Sequence, residues 1–277
     1  MSYKTLMVYA DEGADSDMRI ALACDLARAF DAHLIGMSGS APVPPPMGDP
    51  YLGGAMMGEA LTLYRDLAER NVTRAEARFR EISDAQIRGA EWRGRIGFPA
   101  ELVIEESRAS DMVILGRRDD RAPFYGPDPA DVLMATGRPV LVVPPAEPCT
   151  PVGAPAVIAW SESRESRRAV ASALPMLRQT GTAHVLEIRD DAATDEVLAP
   201  LEDVVAWLAR HGIDADCAVR AQGDASCGDA ILDFAAEKSA GLIVAGGYGH
   251  ARLRQWALGG VTRTLLEHSP VCLLLSH

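Results

Sequence analysis

The chain has 277 residues, of which 48% are hydrophobic and 24% charged, with a formal net charge of −12. That is a globular composition with room for two ordinary domains. Its acidity argues against a nucleic-acid partner, which needs clustered cations. No apolar run reaches the roughly 18 residues of a membrane span, and the N-terminus does not read as a leader, so no membrane partner is expected. Five cysteines, Cys24, Cys149, Cys217, Cys227 and Cys272, are scattered, odd in number and without a CxxC pair. They predict ordinary thiols in a reducing cytoplasm, with no zinc site or disulfide framework.

In chain order, Thr5–Ala10 is a short apolar run ending in the polar turn Asp11-Glu12-Gly13. The segment Met18–Phe30 follows as an amphipathic helix with Met18, Ala21, Leu22, Leu26 and Ala29 on one face. His33–Met37 is the next strand. Ser38–Gly58, rich in Pro, Gly and Met, has neither helical nor strand period and reads as an inserted lid, partner-contact loop or plain surface excursion. The amphipathic segment Glu101–Ser107 precedes the strand Asp111–Gly116, and Arg138–Val143 closes the first half.

The order then repeats. Ala156–Trp160 is a strand, Ser161-Glu162-Ser163 the turn, Ala169–Leu177 a helix and His184–Ile188 a strand. Asp229–Glu237, Gly241–Gly246 and Ser269–Leu274 match the closing elements of the first half. Short, nearly all-apolar strands alternating with helices predict parallel sheets covered on both faces. The fold class is therefore α/β: two tandem, doubly wound, five-stranded parallel-sheet domains, Rossmann-like with strand order 3-2-1-4-5. The proline-rich segment from Pro144 to Pro151 cannot continue a helix or central strand, so the domains are expected at residues 1–146 and 152–277.

In such sheets ligands bind beyond the carboxyl ends of the strands. There the second copy carries Gly246-Gly247-Tyr248-Gly249-His250, and after nine residues beyond Gly249 comes Gly259-Gly260-Val261-Thr262 opening a helix. Bare glycine backbone and helix-start amides suit an anion. The spacing Gly246-x-x-Gly249-x9-Gly259 resembles the nucleotide motif of ATP-binding universal stress proteins, and the likeness of element order spans both halves. The resemblance implies ATP or a related adenine nucleotide in the second copy, with magnesium only as the nucleotide brings it. Its ligands would be Ser161, Gly246, Gly247, Gly249, His250, Gly259, Gly260, Val261 and Thr262. Two positions depart from the family: Gly260 replaces a hydroxyl residue, and Ser161 stands where an acidic residue serves the ribose.

The first copy keeps Asp11 at that ribose position but has lost the glycine loop. Aligned on the closing strands, Asp128 stands at Gly259 and Pro129 at Gly260, a poor phosphate cradle. Trp160 reads equally as a stacking platform for a base or as a plug. No catalytic constellation or metal cluster appears, and the two lysines, Lys4 and Lys238, lie outside the loop. The family likeness implies a non-enzymatic, cytoplasmic stress-response protein whose domains pair through their last strands, Pro139–Val143 and Pro270–Leu275, with a homodimer beyond that. The alternatives are a nucleotide-free scaffold that engages a partner through Ser38–Gly58 and, behind it, a nucleotide-hydrolysing enzyme.

Overall fold

The computed structural model describes residues 2–42, 54–118, 126–145, 150–189, 195–222, 225–248 and 260–277. They form two compact units that divide between Thr136 and Gly137. The first holds β1 (Thr5–Tyr9), α1 (Ala14–Phe30), β2 (His33–Ser40), α2 (Gly54–Asp84), β3 (Glu91–Ile96), α3 (Pro99–Glu106), β4 (Met112–Gly116) and α4 (Pro129–Thr136). The second holds β5 (Val140–Val143), β6 (Ala156–Ala159), α5 (Arg164–Leu177), β7 (Ala183–Arg189), α6 (Asp195–Arg210), β8 (Ala215–Ala221), α7 (Cys227–Glu237), β9 (Leu242–Gly246), α8 (Gly260–His268) and β10 (Cys272–Ser276).

Each repeat has the expected strand order 3-2-1-4-5: β3-β2-β1-β4-β5 and β8-β7-β6-β9-β10. Within the units β1, β2, β3 and β4, and likewise β6 to β10, pair in parallel. The central strands β4, β6 and β9 carry no polar side chain and are almost wholly buried, as expected where helices cover both faces. The exception to parallel pairing is β5 with β10, which run antiparallel with Val142, Leu141 and Val140 opposite Leu273, Leu274 and Leu275. The last strands of the two repeats thus pair within the chain, as the family resemblance implied. The compact units divide ahead of the proline-rich segment because β5 packs with β10.

Three expectations need correction. The buried face of α1 is Ile20, Ala23, Cys24 and Ala27 with Leu26 and Phe30, while Ala29 is exposed and Met18, Ala21 and Leu22 are half-buried. A helix rich in alanine offers two apolar stripes of similar strength, and the sheet selected the one that includes Ile20. Ser38–Gly58 is not a loop throughout: Ser38–Ser40 extend β2 and Gly54–Gly58 begin α2, while 43–53 lie outside the described residues. Helix α2 has 31 residues against 16 in its counterpart α6, so most of the extra length of the first repeat is helix. Its turns around Glu59–Leu67 are largely exposed, which explains why no apolar stripe betrayed them. Finally, Cys272 is buried in β10 and disulfide-bonded, where only thiols were expected. Cys24 and Cys217 remain thiols, both pushed up from the ordinary cysteine range mainly by burial.

His33 and His184, which open equivalent strands, have equivalent structural roles. Each meets a carboxylate on the neighbouring strand, Glu91 at 3.3 Å and Asp216 at 2.7 Å. Between α1 and α2, Arg78 clamps Asp17 with Nε at 2.6 Å and Nη2 at 2.5 Å from its two carboxylate oxygens. That fork holds the Asp17 carboxyl below the usual carboxylate range. A lowered folded pKa stabilises the protein above the unfolded value and loses that contribution as pH falls through the folded one. Both partners are more than a third exposed, so solvent screens the pair and its contribution is at most about 1 kcal/mol. Urea melts of Asp17→Asn should therefore show a small deficit that is constant above the ordinary carboxylate range and closes as pH falls through the lowered folded value.

Candidate functional site

Both repeats build the same device where the first strand turns into the first helix. In the second, the Ser161 N–H donates to Ser166 Oγ at 3.3 Å; in the first, the Asp11 N–H donates to Ser16 Oγ at 3.0 Å. Ser16 and Ser166 are buried and pin the turn beneath the carboxyl ends of the strands. What differs is the chemistry above the pin.

In the second repeat the Ser161, Ser163 and Ser166 hydroxyls lie within 3.0–3.2 Å of one another, so the Ser161 hydroxyl is engaged internally. Trp160 is 8% exposed, and its indole N–H donates to Glu162 Oε1 at 3.1 Å. Gly246 is required by packing: a Cβ there would stand 2.6 Å from the Ser166 amide nitrogen at the start of α5. Gly247 donates its N–H to Ser276 O and accepts through its carbonyl from the His277 ring, Nδ1 at 3.0 Å. Tyr248 adopts a left-handed φ of 55° and aims its N–H at Thr262 Oγ1, 3.4 Å away. Helix α8 opens at Gly260, is exposed there with open space beside the Gly260 Cα, and has no acidic residue in its first turn. Ser161, Gly246, Gly247, Gly260, Val261 and Thr262 therefore flank one strand edge, whereas Gly249, His250 and Gly259 lie outside the described residues.

The first repeat has a cavity of about 360 Å³ at the carboxyl ends of β1, β2 and β4. At its base lies Arg19, only 5% exposed in its side chain, with Nε donating to Tyr9 O and Nη2 to Asp11 Oδ2, both at 2.7 Å. The equivalent residue in the second repeat is the buried Ala169. Gly116 leaves room for this guanidinium, since a Cβ there would stand 2.2 Å from Arg19 Nη1. On the opposite wall Asp128 caps α4, accepting the Ala130 N–H on Oδ1 at 2.8 Å and pairing with Arg118 through Oδ2. Asp131 stands in the first turn of α4, where Thr262 stands in α8; burial first and the Asp128 charge second push its carboxyl up. Arg117, on the same rim, is held below the ordinary arginine range by burial.

Sequence reasoning kept Asp11 and Asp128 in view but missed Arg19, Ser38, Ser40 and Asn71 as cavity residues. Asn71 belongs to the unread helix α2, and Arg19 stood beside the apolar stripe that was chosen for α1. The one available signal was the buried serine five residues after Asp11 and again after Ser161. Among the described residues no group of three or more His, Cys, Asp or Glu side chains could hold a metal ion, and no helix is long and apolar enough to cross a membrane.

Residues 155–277 match the family model described as "Universal stress protein family". Over 98% of the chain and 95% of its own length, a universal stress protein from Archaeoglobus fulgidus superposes with a TM-score of 0.71 at 16% identity. A putative universal stress protein from Pseudomonas aeruginosa does so over 99% and 93% with a TM-score of 0.59 at 14% identity. A universal stress protein solved in complex with cAMP aligns with 52% of the chain and 98% of its own, at 20% identity and a TM-score of 0.36. The sequence matches no curated protein.

The Arg19–Asp11 pair makes the two turns non-interchangeable. Asp11→Ala leaves a buried guanidinium without its carboxylate and should cost about 3–5 kcal/mol in chemical denaturation. The double variant Asp11→Ser with Arg19→Ala, which copies the second repeat, should recover most of that loss.

Proposed function

We propose, for a chain whose second repeat is a universal stress protein domain, a non-enzymatic stress-response role in which that repeat binds ATP or a related adenine nucleotide. The observation that carries this reading is the contrast between two equivalent helix starts. Helix α4 is capped by Asp128 and carries Asp131 in its first turn, whereas α8 opens on Gly260 with no acid there. The first-turn amides of Gly260, Val261 and Thr262 have no acceptor within the helix, and the helix dipole favours an anion before them. Thr262 Oγ1 already accepts the Tyr248 N–H and keeps its own proton to donate. Gly246 seats the strand end against the start of α5 and Gly247 ties it to the end of β10; Gly249, His250 and Gly259 complete the set by resemblance. Ser161 offers a hydroxyl where the family has a carboxylate.

Hydrolysis is not part of this reading. Lys4 pairs with Asp31 and Lys238 lies 5.4 Å from the centre of the Phe234 ring, so neither cation serves a phosphate loop. Magnesium enters only with the nucleotide. Two chains are taken to associate as a cytoplasmic homodimer. A second reading, a nucleotide-free module, is favoured by Trp160, whose ring is packed away from solvent and tied to Glu162.

The discriminating variant is Gly260→Asp. It places a carboxylate in open space at a helix start, which suits the dipole, so the melting temperature should hold or rise slightly. ATP affinity measured by calorimetry should fall at least tenfold. Protein purified without added nucleotide should release an adenine nucleotide in mass spectrometry. Neither co-purified nucleotide nor binding at millimolar ATP would favour the nucleotide-free module.

A further inference from the structure

We propose that the overhanging start of α2 is a self-association surface. Two chains pair these helices antiparallel through Leu63 and Leu67, with Glu59 of each chain against Arg70 of the other. The inference rests on the homodimer named above and not on nucleotide binding.

Helix α2 is too long for the sheet it covers. Asn71 Nδ2 donates to Ser40 Oγ at 3.3 Å, and Ser40 is the last residue of β2, in register with Ile96 at the end of β3. The turns from Gly54 to Arg70 therefore run past the carboxyl edge of the sheet as an arm, a reach of roughly 25 Å at the helical rise. There the helix is apolar over a wider face than the chain covers. Ala68 is buried, and Ala60 and Tyr64, each one turn further out, are half-buried. Leu61, Leu63 and Leu67 are 48%, 53% and 39% exposed. Leu63 and Leu67, at i and i+4, stack along one flank of the covered stripe, and Leu61 lies on the other. In the second repeat α6 has 16 residues, and among its described side chains no large hydrophobic is exposed.

The charges beside Leu63 and Leu67 identify the occupant. Glu59 lies one turn before Leu63 and Arg70 one turn after Leu67, so acid, leucine, leucine and base follow one another along a single stripe. A two-fold axis between the leucines lays Leu63 of one chain on Leu67 of the other and brings each Glu59 to the opposite Arg70. That is the self-complementarity an isologous pair requires. Among the described residues neither Glu59 nor Arg70 has an ion-pair partner, whereas Arg65 and Glu69, on the far side of the helix, pair with each other at 3.2 Å. An anionic lipid surface fits less well, because the polar face mixes Arg65 and Arg70 with Glu59, Asp66 and Glu69. Contact confined to two arms falls short of the roughly 800 Å² per partner typical of stable complexes, so the dimer depends on concentration.

Sedimentation of the full chain at low salt should show a monomer–dimer equilibrium that shifts with concentration. Leu63→Glu with Leu67→Glu should weaken it by roughly tenfold or more. Both positions are exposed, so the melting temperature of the monomer should hold. The charges add a readout that a loss of fold cannot imitate. Glu59→Arg and Arg70→Glu each set like charges against one another and should each weaken the dimer by about threefold or more. Mixed in equal amounts, the two variants should pair with each other as well as the unaltered chain pairs with itself, since every contact is again acid on base. A dimer untouched by the leucine variant overturns the surface and leaves the homodimer standing. A mixture no better associated than either variant alone overturns the antiparallel pairing. A chain that is monomeric at every concentration, which would assign the arm to a different protein, overturns both the surface and the homodimer.

Discussion

The antiparallel ladder between β5 and β10 is the contact on which the architecture depends. A parallel sheet of this kind ends in a strand with unpaired N–H and C=O groups, and here both closing strands are apolar but for Ser276. Left open, each would be an aggregation edge. Pairing Val140–Val142 with Leu273–Leu275 satisfies both ladders and buries both sets of side chains. It also explains why a strand that belongs to the first repeat by sequence belongs to the second compact unit by packing.

With that contact fixed, the carboxyl ends of the strands are left to vary, and they have varied in charge. The second repeat keeps an acid-free helix start and a serine cluster; the first keeps a carboxylate, adds a buried guanidinium beneath it, and closes its own helix start with Asp128. The backbone is common to both, so the difference in what each can hold comes from a few side chains. Fold likeness alone would have assigned the same ligand to both halves.

Much of the fold was legible because the apolar strands of a parallel sheet announce themselves, as Val113–Leu115 and Ile243–Ala245 do. Helix α2 was not legible, since its first turns bury no continuous stripe, and α1 was placed correctly but rotated to the wrong face. Of the candidate site, the start of α8 was visible as glycines and a threonine at a family spacing. The meaning of Gly246 was not: glycine before a helix reads as room for a ligand, and here the room is taken by α5. Arg19 was hidden for a general reason. A buried cation is the last thing a hydrophobic pattern suggests, and only the distance to Asp11 reveals that it is paired.

The buried Arg19–Asp11 pair also limits the routes by which two copies of one domain could have diverged. A carboxylate alone at the turn is tolerable because that position is partly solvated. An arginine alone would be a bare charge in the core. Conversion of one turn into the other, in either direction, is therefore easier through the acid-only state. Gly116 adds a condition: a Cβ there would stand 2.2 Å from Arg19 Nη1, so a larger residue requires the guanidinium to move. The acid can be exchanged between the two halves by itself, whereas the arginine can be exchanged only together with its acid.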